Sequence, residues 1–329
     1  MRVGVMRVGV LGAGAIGCYL GGRLAAAGHD VVLVGRPRVI DPIAQSGIVL
    51  EDLDGARREA RPSCAEGAEA LRGREVVLVT VKAHQLEGAA GSIRDHGAIT
   101  IGLQNGIDHP RVLREVLGTR ARAGTVSWNA VWKDARTLRR STTGPIVLER
   151  RGDDAIVART IGALREAGLE CAGADPIEPV LWTKLLFNLN NAANALSGLP
   201  LRDQLAMRPW RRVVAAMQRE GLAVMRATGI RPARVGRLDP RLSVRVLPLP
   251  DPLFRAIAGA MIRIDPAARS SMADDLARGA ATEIELLNGA ITRVGREVGV
   301  PTPVNDRVVA AIQARERGRP AGVDPASLL

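Results

Sequence analysis

Lysine is scarce in this 329-residue chain: of its 46 basic residues only Lys82, Lys133 and Lys184 are lysines. Against that arginine background each lysine is a choice, because a guanidinium does not release its proton in a protein whereas a desolvated ammonium can. Aromatic side chains are also few, one tyrosine, two phenylalanines and four tryptophans, so the stacking platforms of single-stranded nucleic-acid binders are missing. The net charge of +12 is carried by scattered arginines and fits an anionic small molecule at least as well as nucleic acid, which is not expected as a partner. The three cysteines, Cys18, Cys64 and Cys171, lie far apart without a CxxC pair, which argues against a disulfide framework or a zinc site and suits reduced thiols in a cytosol. No apolar run approaches the ~18 residues that span a bilayer. A cytoplasmic protein with no membrane partner and no metal is therefore expected. Its length exceeds the usual ceiling for one hydrophobic core, so two domains are expected.

The first domain announces itself through glycine. VGVLGAGAIGCYLGGRLAAAGHDVVLVGR (8–36) reads as strand, tight turn, helix and second strand. Within it, Gly12-Ala13-Gly14-Ala15-Ile16-Gly17 forms G-x-G-x-x-G. The first glycine permits the turn, the second lets backbone approach a pyrophosphate, and the third lets helix pack close to strand. Those six residues are the expected dinucleotide cradle of an α/β Rossmann-type N-terminal domain with a doubly wound sheet. The acid that would hold a ribose 2′-hydroxyl at the end of the second strand is absent; Gly35-Arg36-Pro37-Arg38 stands there instead. Because a guanidinium suits a 2′-phosphate, the cofactor reads as NADPH. EVVLVTVKAHQ (75–85) and AITIGLQNGIDHP (98–110) read as buried strands ending in Lys82 and Asn105, which should line the cofactor cleft. Segments 125–132 and 144–150 read as later strands and 153–168 as a final helix. A turn-rich stretch, 173–179, separates residues 1–176 from 177–329. MRVGV occurs twice in direct succession and the strand needs only the second copy, so Met1 and Met6 both stand as starts of translation.

From residue 177 the apolar spacing is helical, predicting an all-α C-terminal domain with helices at 178–197, 205–228, 252–263, 271–298 (broken near Gly279) and 303–316. A proline-rich connection runs through 230–252. The chain holds eight asparagines, and four of them fall between 188 and 194. In LWTKLLFNLNNAANALSG (181–198), Lys184, Asn188 and Asn191 lie at i, i+4 and i+7 on one stripe of an otherwise apolar helix. A solvated face would favour Glu, Lys, Arg or Gln over asparagine, so the stripe predicts a polar cavity. A lysine partly desolvated beside neutral amides has a lowered pKa and can donate a proton to a carbonyl oxygen while its charge stabilises a developing alkoxide. Glu283 begins a further helix whose apolar stripe, 284, 287, 291, 294 and 298, borders the core; an acid near a helix start is also favourable in its own right.

In the order GAGAIG, TVKAHQ, QNG, LWTKLLFN, SSM and TEIELLNG, the chain resembles the ketopantoate reductase family from about Met6 to residue 310. The resemblance implies NADPH-dependent reduction of ketopantoate to pantoate in the route to pantothenate and coenzyme A. Carried over by motif, Lys184 is the general acid, and Glu283 is the carboxylate that binds the substrate hydroxyl and positions the reacting groups. Asn188 and Ser271 resemble substrate contacts, while Arg36, Lys82 and Asn105 resemble cofactor contacts. The family's N-P-L-T turn is represented by Asn194-Ala195-Leu196-Ser197, displaced by two residues, so either Asn194 or Asn191 is the counterpart of its asparagine. Ala268 and Leu201 stand where the family has asparagine, which puts the identity of the 2-oxo acid in question. A paralogue acting on another 2-oxo acid or an imine is the second reading. A non-catalytic NADPH sensor or nucleic-acid binder is a third, opposed by the presence of both Lys184 and Glu283. A homodimer is compatible with the sequence.

Overall fold

The computed structural model describes residues 3–234, 239–258, 268–319 and 322–329. Two compact units divide the chain, Met1–Ile177 and Glu178–Leu329.

Unit 1 contains strands β1 (Arg7–Leu11), β2 (Asp30–Val34), β3 (Ile48–Glu51), β4 (Arg57–Ala60), β5 (Ser63–Ala65), β6 (Val76–Val79), β7 (Ile99–Gly102), β8 (Ala121–Val126), β9 (Ala130–Trp132), β10 (Thr137–Arg140), β11 (Ile146–Glu149) and β12 (Cys171–Ala174). Eight of them form one sheet in the order β12-β11-β8-β7-β6-β1-β2-β5. Its neighbours are parallel except β8 with β11. Chain order runs outward from β1 in both directions, a doubly wound Rossmann arrangement with its switch point between β1 and β6. The apolar runs are continuous because both faces are covered: Val76 and Leu78 enter one core and Val77 and Val79 the other. Each such buried aliphatic side chain contributes about 1.5–3 kcal/mol.

A second sheet, β4-β3-β10-β9, was not anticipated. It corrects the reading of 125–132 as one strand: Thr125 and Val126 end β8 in the large sheet, while Ala130–Trp132 pairs with β10 in the small one. Helices α1 (Ala15–Ala26), α2 (Pro37–Ser46), α3 (Leu86–Ser92), α4 (His109–Leu117) and α5 (Ala155–Glu166) complete the unit. Helix α1 touches strands of both sheets. Its adjacent glycines divide the work, since a side chain on Gly21 would strike Leu33 of β2 and one on Gly22 would lie 2.9 Å from Leu50 of β3. Burial pushes the Cys18 and Cys171 thiols up to about 12, which keeps them protonated and unreactive.

The regular structure among the described residues of unit 2 is all helical: α6 (Glu178–Asn188), α7 (Asn190–Ser197), α8 (Leu201–Ala206), α9 (Arg208–Ala227), α10 (Pro240–Val246), α11 (Asp251–Ala258), α12 (Ser271–Ala277), α13 (Asn288–Glu297) and α14 (Pro303–Glu316). Three expectations change, and the break expected near Gly279 is found. The helix expected over 178–197 divides at Leu189. That expected over 205–228 is α9, begun at Arg208 with Pro209 in its first turn, where the missing N–H is harmless, while Leu205 and Ala206 end α8. The stretch 271–298 ends at Ala277 beside Gly279, whose φ of +64° no ordinary side chain favours, and resumes at Asn288. The connection at 230–252 contains α10, capped by the Asp239 carboxylate. Residues 259–263 of the helix expected at 252–263 lie outside the described residues.

Helix α9 is the hub, packing against α6, α7, α8, α10, α13 and α14. Its apolar face, Trp210, Val213, Val214, Met217, Val224 and Met225, is buried. Arg211 is 0% exposed yet its guanidinium donates to the carbonyls of Leu205, Ala206, Leu247 and Leu249 and to the Asp251 carboxylate at 2.7–3.0 Å. That saturation is what makes a buried cation tolerable.

Candidate functional site

In unit 1 the adjacent strands β7, β6, β1 and β2 end at one edge of the sheet, and each is followed by an expected cofactor residue. Gly12 leaves β1 with φ +111°, and a side chain on it would lie 2.6 Å from the Val81 amide nitrogen. The amides of Gly12 and Ala13 both donate to Val34 O, at 2.9 and 3.0 Å, tying the loop to β2. Gly14 caps α1 without a side-chain hydrogen bond, and nothing lies within 4 Å of where its side chain would begin. The first turn, Ala15, Ile16 and Gly17, thus presents amides and a positive helix end to open space. Gly17 faces the other way, where a side chain would strike Gly12 O and the Thr80 hydroxyl. Thr80, overlooked in the sequence, donates from Oγ1 to Gly12 O at 2.7 Å and so pins the loop to the end of β6. Its only sequence signal is a hydroxyl directly after the apolar run 76–79.

Arg36 and Arg38 are exposed just beyond β2, with Arg36 capping α2. Lys82 is exposed after β6 and begins a 3-10 turn. Asn105, half-buried, follows Gln104, whose amide nitrogen donates to Val79 O at 2.8 Å and Val81 O at 3.2 Å and holds the ends of β7 and β6 together. An open cradle at Gly14, an uncapped helix end and exposed guanidiniums at β2 fit the phosphates of a dinucleotide.

In unit 2, Lys184 and Asn188 lie on α6 and Asn191 and Asn194 on α7. Lys184 is only partly accessible, and burial pulls its ammonium down from 10.5 to about 8, with the Glu283 carboxylate opposing the fall. Glu283 precedes a 3-10 turn, Ile284–Leu286, rather than an α-helix, and its carbonyl accepts from the amides of Leu286 and Leu287, both at 3.1 Å. Asn188 and Asn191 are half-buried.

Asn194 differs from its neighbours in being 0% exposed. Its Oδ1 accepts from the Ser270 amide at 2.9 Å and its Nδ2 donates to Leu199 O at 3.0 Å. Ser270 in turn caps α12, donating from Oγ to Asn191 O at 3.0 Å and accepting from the Ala273 amide at 3.2 Å. These bonds join α7 to the start of α12 and place Ser271, its half-buried first residue, beside the asparagine helix. Leu201 N donates to Ala268 O at 2.8 Å, so the two positions that depart from the family pattern are paired. Sequence reasoning also missed Gln218 and Asn288, polar residues buried on α9 and at the start of α13.

Residues 8–152 match the family described as ketopantoate reductase PanE/ApbA, and residues 176–316 match its C-terminal domain. The chain is 29% identical to a 2-dehydropantoate 2-reductase of Halobacterium salinarum over 95% of this chain and 99% of that protein. A crystal structure of a PanE/ApbA family ketopantoate reductase from Ralstonia eutropha JMP134 superposes with a TM-score of 0.80 at 31% identity, covering 95% of this chain and 99% of that one. D-mandelate dehydrogenase, solved with NADH and anilino(oxo)acetate, has the same fold, with a TM-score of 0.78 at 23% identity over 95% of this chain and 99% of that one. No described helix is long and apolar enough to cross a membrane. With a dinucleotide cradle in one unit, a lysine and carboxylate in the other, and both units matched along their length, the chain belongs to the ketopantoate reductase PanE/ApbA family and is an oxidoreductase acting on a keto group.

Proposed function

We propose that this protein uses NADPH to reduce a 2-oxo acid to its 2-hydroxy acid, with ketopantoate as substrate and pantoate as product, on the route to pantothenate and coenzyme A. The observation that carries this reading is Lys184, drawn down to about 8 by burial with Glu283 acting on it. When bound, the dinucleotide supplies a hydride to the carbonyl carbon. Lys184 gives its proton to the carbonyl oxygen, and the positive charge it holds beforehand stabilises negative charge developing there. An ammonium near 8 is still protonated at neutral pH and is a stronger acid than an ordinary lysine, which suits it to the task. Glu283 accepts a hydrogen bond from the substrate hydroxyl and orients it. Asn188, Asn191 and Ser271 orient the substrate's polar groups without adding charge, while Asn194 contributes by holding Ser270 and α7 in register. The amides of 15–17 take the pyrophosphate, Arg36 takes the 2′-phosphate, and Lys82 and Asn105 hold the cofactor along the strand ends.

A second reading, reduction of a different 2-oxo acid or an imine, is favoured by the pairing of Leu201 with Ala268. Together they put apolar side chains where the family pattern has two amides. Measuring NADPH oxidation with ketopantoate, 2-oxoisovalerate and mixtures of oxo acid and amine decides between the two. Ketopantoate should give the highest kcat/KM; a higher value for another member of the panel transfers the assignment to it, and inactivity with all of them removes both readings.

A further inference from the structure

The lysine and the carboxylate stand on separate segments, α6 and the turn before α13, and both segments are fastened to a single turn of α9. On the lysine side, Gln218 is 2% exposed and donates its side-chain amide to Leu186 O at 3.2 Å, two residues beyond Lys184 and one turn before the helix divides at Leu189. Its own Oε1 accepts from the Ser243 hydroxyl of α10 at 2.9 Å. The Leu186 side chain also lies directly on the α9 backbone, since a side chain on Gly221 would strike it.

On the carboxylate side, Asn288 is 0% exposed and donates to Asn305 Oδ1 at 3.0 Å and toward Met217 Sδ at 3.1 Å. Asn305 donates from Nδ2 to Met217 O at 3.2 Å and to Glu220 Oε2 at 2.7 Å. Glu220 also accepts the amides of Val304 and Asn305 at 2.8 and 3.0 Å, so it caps α14 from a neighbouring helix. The start of α13, five residues after Glu283, is thereby fixed to residues 217–220 of α9.

A glutamine and an asparagine wholly inside a helical unit are expensive to bury unless bonded, and the bonds they form lead to the two segments bearing Lys184 and Glu283. We propose that the 217–220 turn of α9 is the positioning element of this site, with Gln218 and the Glu220–Asn305–Asn288 chain setting the separation between the Lys184 ammonium and the Glu283 carboxylate. The inference rests on the roles given to Lys184 and Glu283 above. Neither Gln218 nor Glu220 acts on substrate; each acts through a backbone it holds.

The scarcity of lysine supplies a test that does not depend on turnover. Trace acylation with acetic anhydride across a pH series, followed by peptide mass spectrometry, reads Lys184 separately from Lys82 and Lys133, the other two lysines. In Gln218→Met, which keeps volume and removes both hydrogen bonds, the lysine should move away from Glu283, and its labelling midpoint should fall below that measured for the wild type alongside it. Labelling of Lys82 and Lys133 should be the same in both proteins. Alongside, kcat should fall about tenfold, as a small misplacement of a reacting group produces, with KM for NADPH unchanged. A loosened helix with no positioning role would admit water and raise the midpoint, so a raised or unchanged midpoint overturns the proposal. If Gln218→Met fails to fold, Ser243→Ala removes one bond to Gln218 and should shift the midpoint in the same direction by less. Absence of turnover with every oxo acid would sink the proposed function yet leave the labelling comparison readable.

Discussion

Gly14 and Gly17 stand one helical turn apart and meet opposite surroundings: a side chain on Gly14 would touch nothing within 4 Å, whereas one on Gly17 would strike the Gly12 carbonyl and the Thr80 hydroxyl. Folding and binding should therefore separate. Gly14→Ala should leave the melting temperature within a few degrees, since its backbone angles suit alanine, while weakening NADPH at least about tenfold by blocking backbone approach. Gly17→Ala should lower the melting temperature. Thermal melts beside a fluorescence titration with NADPH check both; equal loss of stability in the two variants would contradict the cradle.

Lys184 predicts two pH dependences. In its proposed role as the acid it must be protonated, so the reduction rate should be highest below about pH 8 and fall as pH rises through that value. Oxidation of the hydroxy acid should rise over the same range. Lys184→Met should lower kcat by about 10²- to 10⁴-fold without weakening NADPH. In stability the sign is opposite to that of a favourable ion pair. The folded protein holds this proton less tightly than the unfolded chain, whose lysine titrates near 10.5. The full desolvation penalty is felt below about pH 8 and disappears as pH rises toward 10.5. Lys184→Met should consequently melt above the wild type at pH 7, with the advantage shrinking between about pH 8 and 10.5. A variant no more stable than the wild type at neutral pH would count against desolvation as the cause.

Asn194 and Asn188 should respond differently to alanine. The Asn194 amide is buried and bonded at both ends, so Asn194→Ala should cost about 1–3 kcal/mol of stability and act on kinetics only through that loss. Asn188→Ala, at a half-buried position beside Lys184, should lower the melting temperature by less than Asn194→Ala and raise KM for the oxo acid. Denaturant unfolding and steady-state kinetics on the pair separate a strut from a contact.

Arg36 lies exposed beyond β2, and Arg36→Ala should reduce the preference for NADPH over NADH by about ten- to hundredfold, the worth of a charge-assisted hydrogen bond. The ratio of kcat/KM for the two cofactors is the measurement. An unaltered ratio would move phosphate recognition to another group.

Much of unit 1 was legible because its code is local. Continuous apolar runs mark strands covered on both faces, and the three glycines of the cradle each answer to a different steric demand within a few residues. The small sheet was not legible, because its strands are three or four residues long and β3 finds its partner β10 almost ninety residues away. Arg57–Ala60, RREA, reads as a charged loop until β3 lies beside it. In unit 2 the scarcity of lysine singled out Lys184, and Gly279 marked a break. The division at Leu189 carries no glycine or proline to announce it. Gln218, within Met-Gln-Arg-Glu, reads as part of a solvated face; its burial is decided by α6 and α10, which no short window of sequence contains.

Helix α1, whose first turn faces the open cradle, packs on both sheets through adjacent glycines, Gly21 against β2 and Gly22 against β3. A rod gripped by two sheets cannot rock or slide to greet an incoming anion. Whatever adjustment accompanies nucleotide capture must therefore be confined to the few atoms of the 12–14 bend, and the entropic toll of assembling that receptor is met when the chain folds, before any nucleotide arrives.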